Sequence, residues 1–583
     1  MVLEEMGELL EMFKHSFPLS FLFFVPILVL ISPVNTAHEF SAFRMQQYDL
    51  HGSHHGCQAA QVNMEARPID AKMITRRCIV TKMKEFTMAK YRDLIQENAG
   101  ALLIILPRNL TSLSEDDRQH LQTVEKDLAE EGSVSIPVYF AEETDELLQV
   151  YDAIQLGNTG DQAASALEAL MSGASANGFQ MVVGGPQSKS LPDFQITNIQ
   201  GHLSGFGIEE QLPTIAVVAH YDAFGVAPKK NILSKTTKVG LVCQLVQIQY
   251  GSGVIACGLL DCSKLYTNSR THAKYNLIFL LSGGGKFNYQ GTKRWIEDNI
   301  ENQESSLLTD VAYVLCLDSL GRSDNLFLHV SKPPKEGTAG HTLLQNIEEV
   351  SKSFFEEVKF KMNHKKINLA EDMLAWEHER FSIKRLPAFT MSSGNKVLVM
   401  FNVIQSESHK NPDRTSILDK KSQRDSVEVS KLTRNIQILA EALAKHVYNL
   451  TSQGNLRLFS EGLEVQKDLV SAWLTQLTAK SRATQLLHKD HHLLSTLEET
   501  MNRYLKDVKR STLKADKRDP EFIFYDGSQY VMSAYNVKPA IFDLFLAAGI
   551  VAYLGMVYLV VQNFSYVYLI LQKFSIPRKT KVQ

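Results

Sequence analysis

The sequence predicts an α/β protein: a mostly parallel sheet with helices on both faces, a smaller α/β lobe ahead of it, and one C-terminal transmembrane helix. Three observations carry that reading. Short β-branched runs recur along the middle of the chain and alternate with helical stretches, as in a parallel sheet. One of them, Ile215–Ala219, runs straight into His220-Tyr221-Asp222. The stretch from Leu544 to Gln572 carries no charged side chain.

At 583 residues the chain has room for roughly three or four domains. Its net charge of −3 gives no bias toward nucleic acid. Near the N-terminus, Leu19–Ile31 is an apolar run broken by Ser20 and Pro26 and followed by Pro33-Val34-Asn35-Thr36-Ala37. It is too short for a span and reads as a signal peptide over 1–37. The segment 38–190 reads as the small lobe. It holds a histidine-dotted turn (His51, His54, His55), a buried strand over 99–107, an acidic helical stretch over 114–131 and a second strand over 136–141. The six cysteines lack zinc-finger spacing, and Cys57 and Cys78 lie close enough in the chain to pair in an oxidising compartment.

The main domain, 191–450, opens with an alternating strand over 194–205. Strands follow over 215–219, 275–281 and 311–317, and an amphipathic helix over 427–448 closes it. The region 451–538 reads as helical and membrane-proximal, with a basic run (Lys506, Lys509, Arg510, Lys514, Lys517, Arg518) on a solvated or partner-facing helix. The transmembrane helix falls within 539–563, because about 20 residues at 1.5 Å each cross a hydrocarbon core. The tail, 564–583, has Lys573, Arg578, Lys579 and Lys581 and no acid, which places it in the cytoplasm. That topology puts the rest of the chain in the lumen as a single-pass type I protein. Asn109 and Asn449 stand in glycosylation sequons compatible with it.

A His-x-Asp at the carboxyl end of a buried parallel strand sits where open α/β sheets bind ligands. The imidazole can take a metal while the carboxylate orients it, or the pair can simply satisfy loop hydrogen bonds. Ser282-Gly283-Gly284-Gly285-Lys286 is not a phosphate loop, since Phe287 follows the lysine and the early glycine is missing.

With His220, Asp222, Asp318 and His378 in this order, the region 195–450 resembles the zinc aminopeptidases of the M28 type. That resemblance implies their α/β fold and assigns those four residues as remnants of a metal site. The family's bridging carboxylate falls on Ile248, beside the retained Gly251-Ser252-Gly253 turn, and its Glu-Glu pair falls on Gly285 and Lys286. A bridging anion is what holds two Zn²⁺ ions together, and the first glutamate is the base that deprotonates water. Glycine does neither, and lysine puts a cation where a metal belongs. Asp318 then reads as a strand-end carboxylate paired to Lys286. The resemblance thus implies no catalytic residues and no cofactor.

Longer words are similar to the nicastrin-like branch of endoplasmic reticulum membrane glycoproteins: Arg44-Met-Gln-Gln-Tyr-Asp-Leu50, Ala219-His-Tyr-Asp-Ala-Phe-Gly-Val-Ala-Pro228, Ala375-Trp-Glu-His-Glu-Arg-Phe381 and Lys514-Ala-Asp-Lys-Arg-Asp-Pro-Glu-Phe522. The stretches 229–250 and 394–404 depart from the branch. This likeness implies a non-peptidase that assembles with nodal modulator protein and a multipass membrane protein. It implies work beside the Sec translocon and ribosome-associated machinery in multipass protein biogenesis, and a link to Nodal signalling. Two other readings stay open: a residual single-zinc metallohydrolase and a nicastrin-type substrate receptor.

Overall fold

The computed structural model describes residues 38–563 except for 159–177, 222–272, 302–307, 394–428, 451–456, 479–489 and scattered shorter stretches, chiefly within 109–132. The expected signal peptide and cytoplasmic tail and the two divergent stretches lie outside the described residues. The first sheet is a closed barrel. Its strands run in the order β1 (His38–Arg44), β18 (Gln529–Val537), β8 (Gly178–Val183), β4 (Val62–Pro68), β5 (Cys78–Lys82), β6 (Ala101–Leu106) and β7 (Val138–Glu142). Alternation of side chains sorts its residues into two cores. Ala101, Leu103 and Ile105 of β6 join Leu147, Val150 and Ile154 of helix α2 (Asp145–Asn158). Leu102 and Ile104 instead meet Tyr91 and Leu94 of α1 (Met88–Gln96).

The second sheet has eight strands. Their order is β14 (Lys359–His364), β13 (Asn325–Val330), β15 (Ala388–Ser392), β12 (Val311–Leu317), β10 (Thr214–His220), β11 (Asn276–Ser282), β9 (Gln195–Leu203) and β16 (Lys506–Lys514). The centre, β11-β10-β12-β15, is parallel as expected. The flanks are not: β9 runs antiparallel to both its neighbours, and β13 antiparallel to β15. Helices cover both faces. Ile215, Val217 and Ala219 pack with residues of α4 (Ala339–Phe354), α6 (Val429–Val447), α7 (Lys467–Thr478) and α8 (His492–Tyr504). Ala216 and Val218 face Trp295 and Ile296 of α3 (Gln290–Glu301) and Phe381 of α5 (His378–Ile383). Continuous apolar runs are thus what burial on two faces requires.

Several expectations need correction. The basic run is no helix. Lys506–Lys514 forms the edge strand β16, which pairs with β9 and leaves Lys506, Lys509 and Lys514 exposed. The opposite edge, β14, exposes Lys359 and Lys361. Charge at both margins blocks pairing with further strands. Nor is 451–538 a separate helical region. It supplies β16 to the main sheet, β18 to the barrel, and β17 (Phe522–Phe524), which pairs with β2 (Tyr48–Leu50) beside β3 (Ser53–His55). The small lobe therefore needs residues far beyond 190. Cys57 and Cys78 are not joined; both are free and buried. They belong to different cores, and the Cys57 thiol donates to the Ala59 and Ile136 carbonyls.

Among the described residues no helix is long and apolar enough to cross a membrane. The expected transmembrane helix is therefore not shown as such. Helix α9 (Ala540–Gln562) does run for 23 residues, about 35 Å at the α-helical rise, and its side chains are described without a break only over 547–559.

Barrel closure by β18 gives a direct test. Met532 is fully buried in the lobe core. Met532→Ala should cost about 2–5 kcal/mol and should strip hydrogen-exchange protection from β1 and β8 before β10 and β11. Equal loss in both sheets would show that they unfold as one unit.

Candidate functional site

Parallel pairing places His220, the last residue of β10, beside Ser282, the last of β11. The glycine run that follows permits close backbone approach rather than phosphate binding. A Cβ on Gly283 would lie 2.7 Å from the Thr197 carbonyl, and one on Gly291 would lie 2.3 Å from the Gly283 carbonyl. Gly284 has φ +69°, a region open mainly to glycine. Asn198 of β9 pins the turn by accepting from the Gly283 N–H at 3.0 Å and donating to the Gly291 carbonyl at 2.9 Å.

The centre of the site is Glu377, which is only 3% exposed. Its Oε1 accepts from the Ser282 hydroxyl at 2.8 Å and the Thr292 hydroxyl at 2.6 Å. Its Oε2 faces His220 Nδ1 at 3.4 Å. A buried carboxylate needs such donors, and here the protein's own side chains supply them. The His220 ring also lies edge-on to Tyr289, whose hydroxyl donates to the Ala375 carbonyl.

Gly285 fixes the imidazole from the other side. A Cβ built on it would stand 2.4 Å from His220 Cγ. The ring therefore fills the space through which any side chain at 285 would have to leave the backbone.

The other expected remnants each make contacts of their own. His378 is buried, and its Nδ1 is paired with Thr390 Oγ1 of β15 at 2.8 Å. Burial, with help from His329, holds its pKa down to about 3. His329 stacks on Trp376 with ring centres 4.0 Å apart. Asp318, just past β12, is buried, and its Oδ1 accepts from the Ser319 N–H at 2.8 Å. Asp222, Ile248 and Lys286 lie outside the described residues, and with Lys286 lies its expected pairing to Asp318. Asn109 lies outside them too. Asn449 is exposed just past α6, at φ 55°.

Among the described residues no three of His, Cys, Asp and Glu come together in a way that can hold a metal ion. The donor chemistry explains why. Glu377 already takes two hydroxyl donors and faces an imidazole, and position 285 has no side chain and no room for one. These residues do not fit a two-zinc centre. Glu377, Ser282 and Thr292 went unnoticed in the sequence because nothing in the chain links residues 85 and 95 positions apart. Only the fold makes Glu377 their common partner.

No family model matches the chain. It is 48% identical over 596 residues to the BOS complex subunit ncln of Danio rerio, covering 99% of each chain. It is 48% identical to the human BOS complex subunit NCLN over 596 residues, covering both chains fully. It is 28% identical over 589 residues to Nicalin of Caenorhabditis elegans, covering 95% of this chain and 96% of that one. Among solved structures it is similar to a zinc aminopeptidase from Bacillus subtilis at 10% identity and a TM-score of 0.35, covering 73% of this chain and 88% of that chain.

Two outcomes follow from this geometry. Gly285→Ala should destabilise the protein by about 1–3 kcal/mol through overpacking, and His220→Ala should relieve much of that cost. A double-mutant cycle on thermal midpoints reads the coupling; strict additivity would mean that the ring and the backbone do not compete. Second, burial holds His378 at about 3 and His446 at about 4, against an ordinary value of 6.5. The unfolded chain protonates both first, so stability is intact above pH 6.5 and declines as pH falls toward 4. The slope is up to about 1.4 kcal/mol per pH unit for each. His446→Phe should flatten its share, while an unchanged slope would assign the acid sensitivity elsewhere.

Proposed function

The chain belongs to the nicalin family, that of the BOS complex subunit NCLN, and from that premise we propose that it is a non-catalytic subunit of a multi-subunit membrane complex. The observation that carries this reading is the contact of Gly285 with the His220 ring. Where the M28-type aminopeptidases need a base, this chain has a residue without a side chain, and its imidazole occupies the vacated space. Water activation by a carboxylate at 285 is therefore closed to this fold. The Glu377 cluster instead ties β10, β11, α3 and the segment before α5 together, the work of a rigid scaffold.

In the same reading the protein is a single-pass type I glycoprotein of the endoplasmic reticulum. α9 crosses the bilayer, the described ectodomain lies in the lumen and the basic tail in the cytoplasm. Support comes from the 23-residue length of α9 and the absence of charge from Leu544 to Gln572. Its partners are nodal modulator protein and a multipass membrane protein, and the assembly serves translocon-linked biogenesis of multipass proteins and bears on Nodal signalling. Exposed Asn449 is the acceptor for a glycan on this topology.

Ala548, Gly549, Ala552 and Gly555 give α9 a small-residue face, and a Cβ at either glycine would meet nothing within 4 Å. Purification of the full chain in mild detergent should therefore recover stoichiometric membrane partners. Ala548→Leu with Gly555→Leu should reduce that recovery several-fold while leaving the ectodomain's thermal midpoint unchanged. A chain that purifies alone, or partners indifferent to the double substitution, would contradict the proposal.

A further inference from the structure

Strand β18 breaks the usual sorting of side chains in a half-buried sheet. Its inward residues, Met532 and Ala534, are fully buried in the barrel core. Its outward residues are also mostly apolar: Val531 is 58% exposed, Tyr535 43% and Val537 41%. Between them lies only Ser533. The neighbours on that face are mixed. Ser41 of β1 pairs with Val531, and Gln180 of β8 pairs with Tyr535. Glu39, opposite Ser533, is the acid nearest the stripe along this register.

The stripe leads into α9 along the chain. Only Lys538 and Pro539 separate Val537 from Ala540, the first residue of the helix. Three residue steps span at most about 11 Å. Helix α9 exposes apolar side chains all round, among them Leu544, Val551, Leu554 and Leu559. An exposed apolar stripe on the barrel thus ends three residue steps before an apolar helix begins, with Lys538 and Asp543 the charged residues between Val537 and Leu544.

We propose that the outer face of β18 lies flat against the lumenal leaflet, so that the barrel rests side-on on the bilayer beside its own anchor. This inference rests on the reading of α9 as a membrane span. The chemistry suits an interface. Tyrosine is enriched at headgroup level, where its ring sits among apolar groups and its hydroxyl stays wet. Val531 decides the geometry. Six residues before Val537, it is about 20 Å further along an extended strand. It touches lipid only if β18 runs along the membrane surface rather than away from it.

The test uses the full chain in its native membranes, with a photoreactive benzophenone amino acid at 531, 535 or 537, and at 361 on the far edge of the main sheet as a control. The expected result is phospholipid adducts at all three β18 positions, identified by mass, and at most one-tenth of that yield at 361. Adducts to protein only, no adducts, or lipid capture at 537 without 531 would each overturn the proposal. Retention in the membrane pellet after alkaline carbonate extraction tests the anchor separately. Retention without lipid capture at 531 refutes only the flat barrel, whereas release into the supernatant refutes the anchor itself.

Discussion

The position of the His220 ring against the backbone at Gly285 governs the rest of the site. The two lie on neighbouring strand ends, brought level by the His220–Ser282 register, and no side chain fits between them. Once the imidazole occupies that space, its Nδ1 faces Glu377, and Glu377 gathers Ser282 and Thr292. A pocket that would otherwise hold unsatisfied buried polar groups becomes a closed network. Burying polar groups is tolerable only when they satisfy each other.

The second organising constraint is topological. Residues 506–537 leave the helical layer and return to both sheets, adding β16 at the edge of one and β18 inside the closure of the other. Between them, Phe522 and Phe524 of β17 pack with Tyr48, Leu50, Ile196 and Phe287. Tyr525 and His54 share the Asp49 carboxylate, and Gln290 reaches His51. The histidines of that loop thus join a contact between lobe and main domain. They are more than a turn, although His54 itself stays half exposed. A chain closed in this way ties its late segment into both sheets.

What could be read in the sequence was what depends on local pattern. Strands 215–219, 275–281 and 311–317 announced themselves because burial on two faces leaves little but β-branched and aliphatic residues. The glycine at 285 was legible for the same reason: a single position, set by the strand before it. The pairing of 506–514 was not. Its alternation of lysine with Val508 and Leu513 fits an exposed edge strand as well as a solvated helix, and the choice is made by β9, some three hundred residues earlier. Closure of the barrel by β18 and the hub at Glu377 were hidden by the same distance. Cys57 and Cys78 show the converse, since closeness in the chain left their pairing open and says nothing about which face of a sheet each side chain takes.

The most direct test is whether zinc stabilises the folded chain. The full-length protein would be stripped with chelator in detergent and its thermal midpoint followed as zinc is added. A ligand that binds only the folded state raises stability by RT ln(1 + [L]/Kd). The closed His220–Glu377 network predicts a flat response. A saturable rise of several degrees that disappears in His220→Ala would show a working metal site and contradict the account.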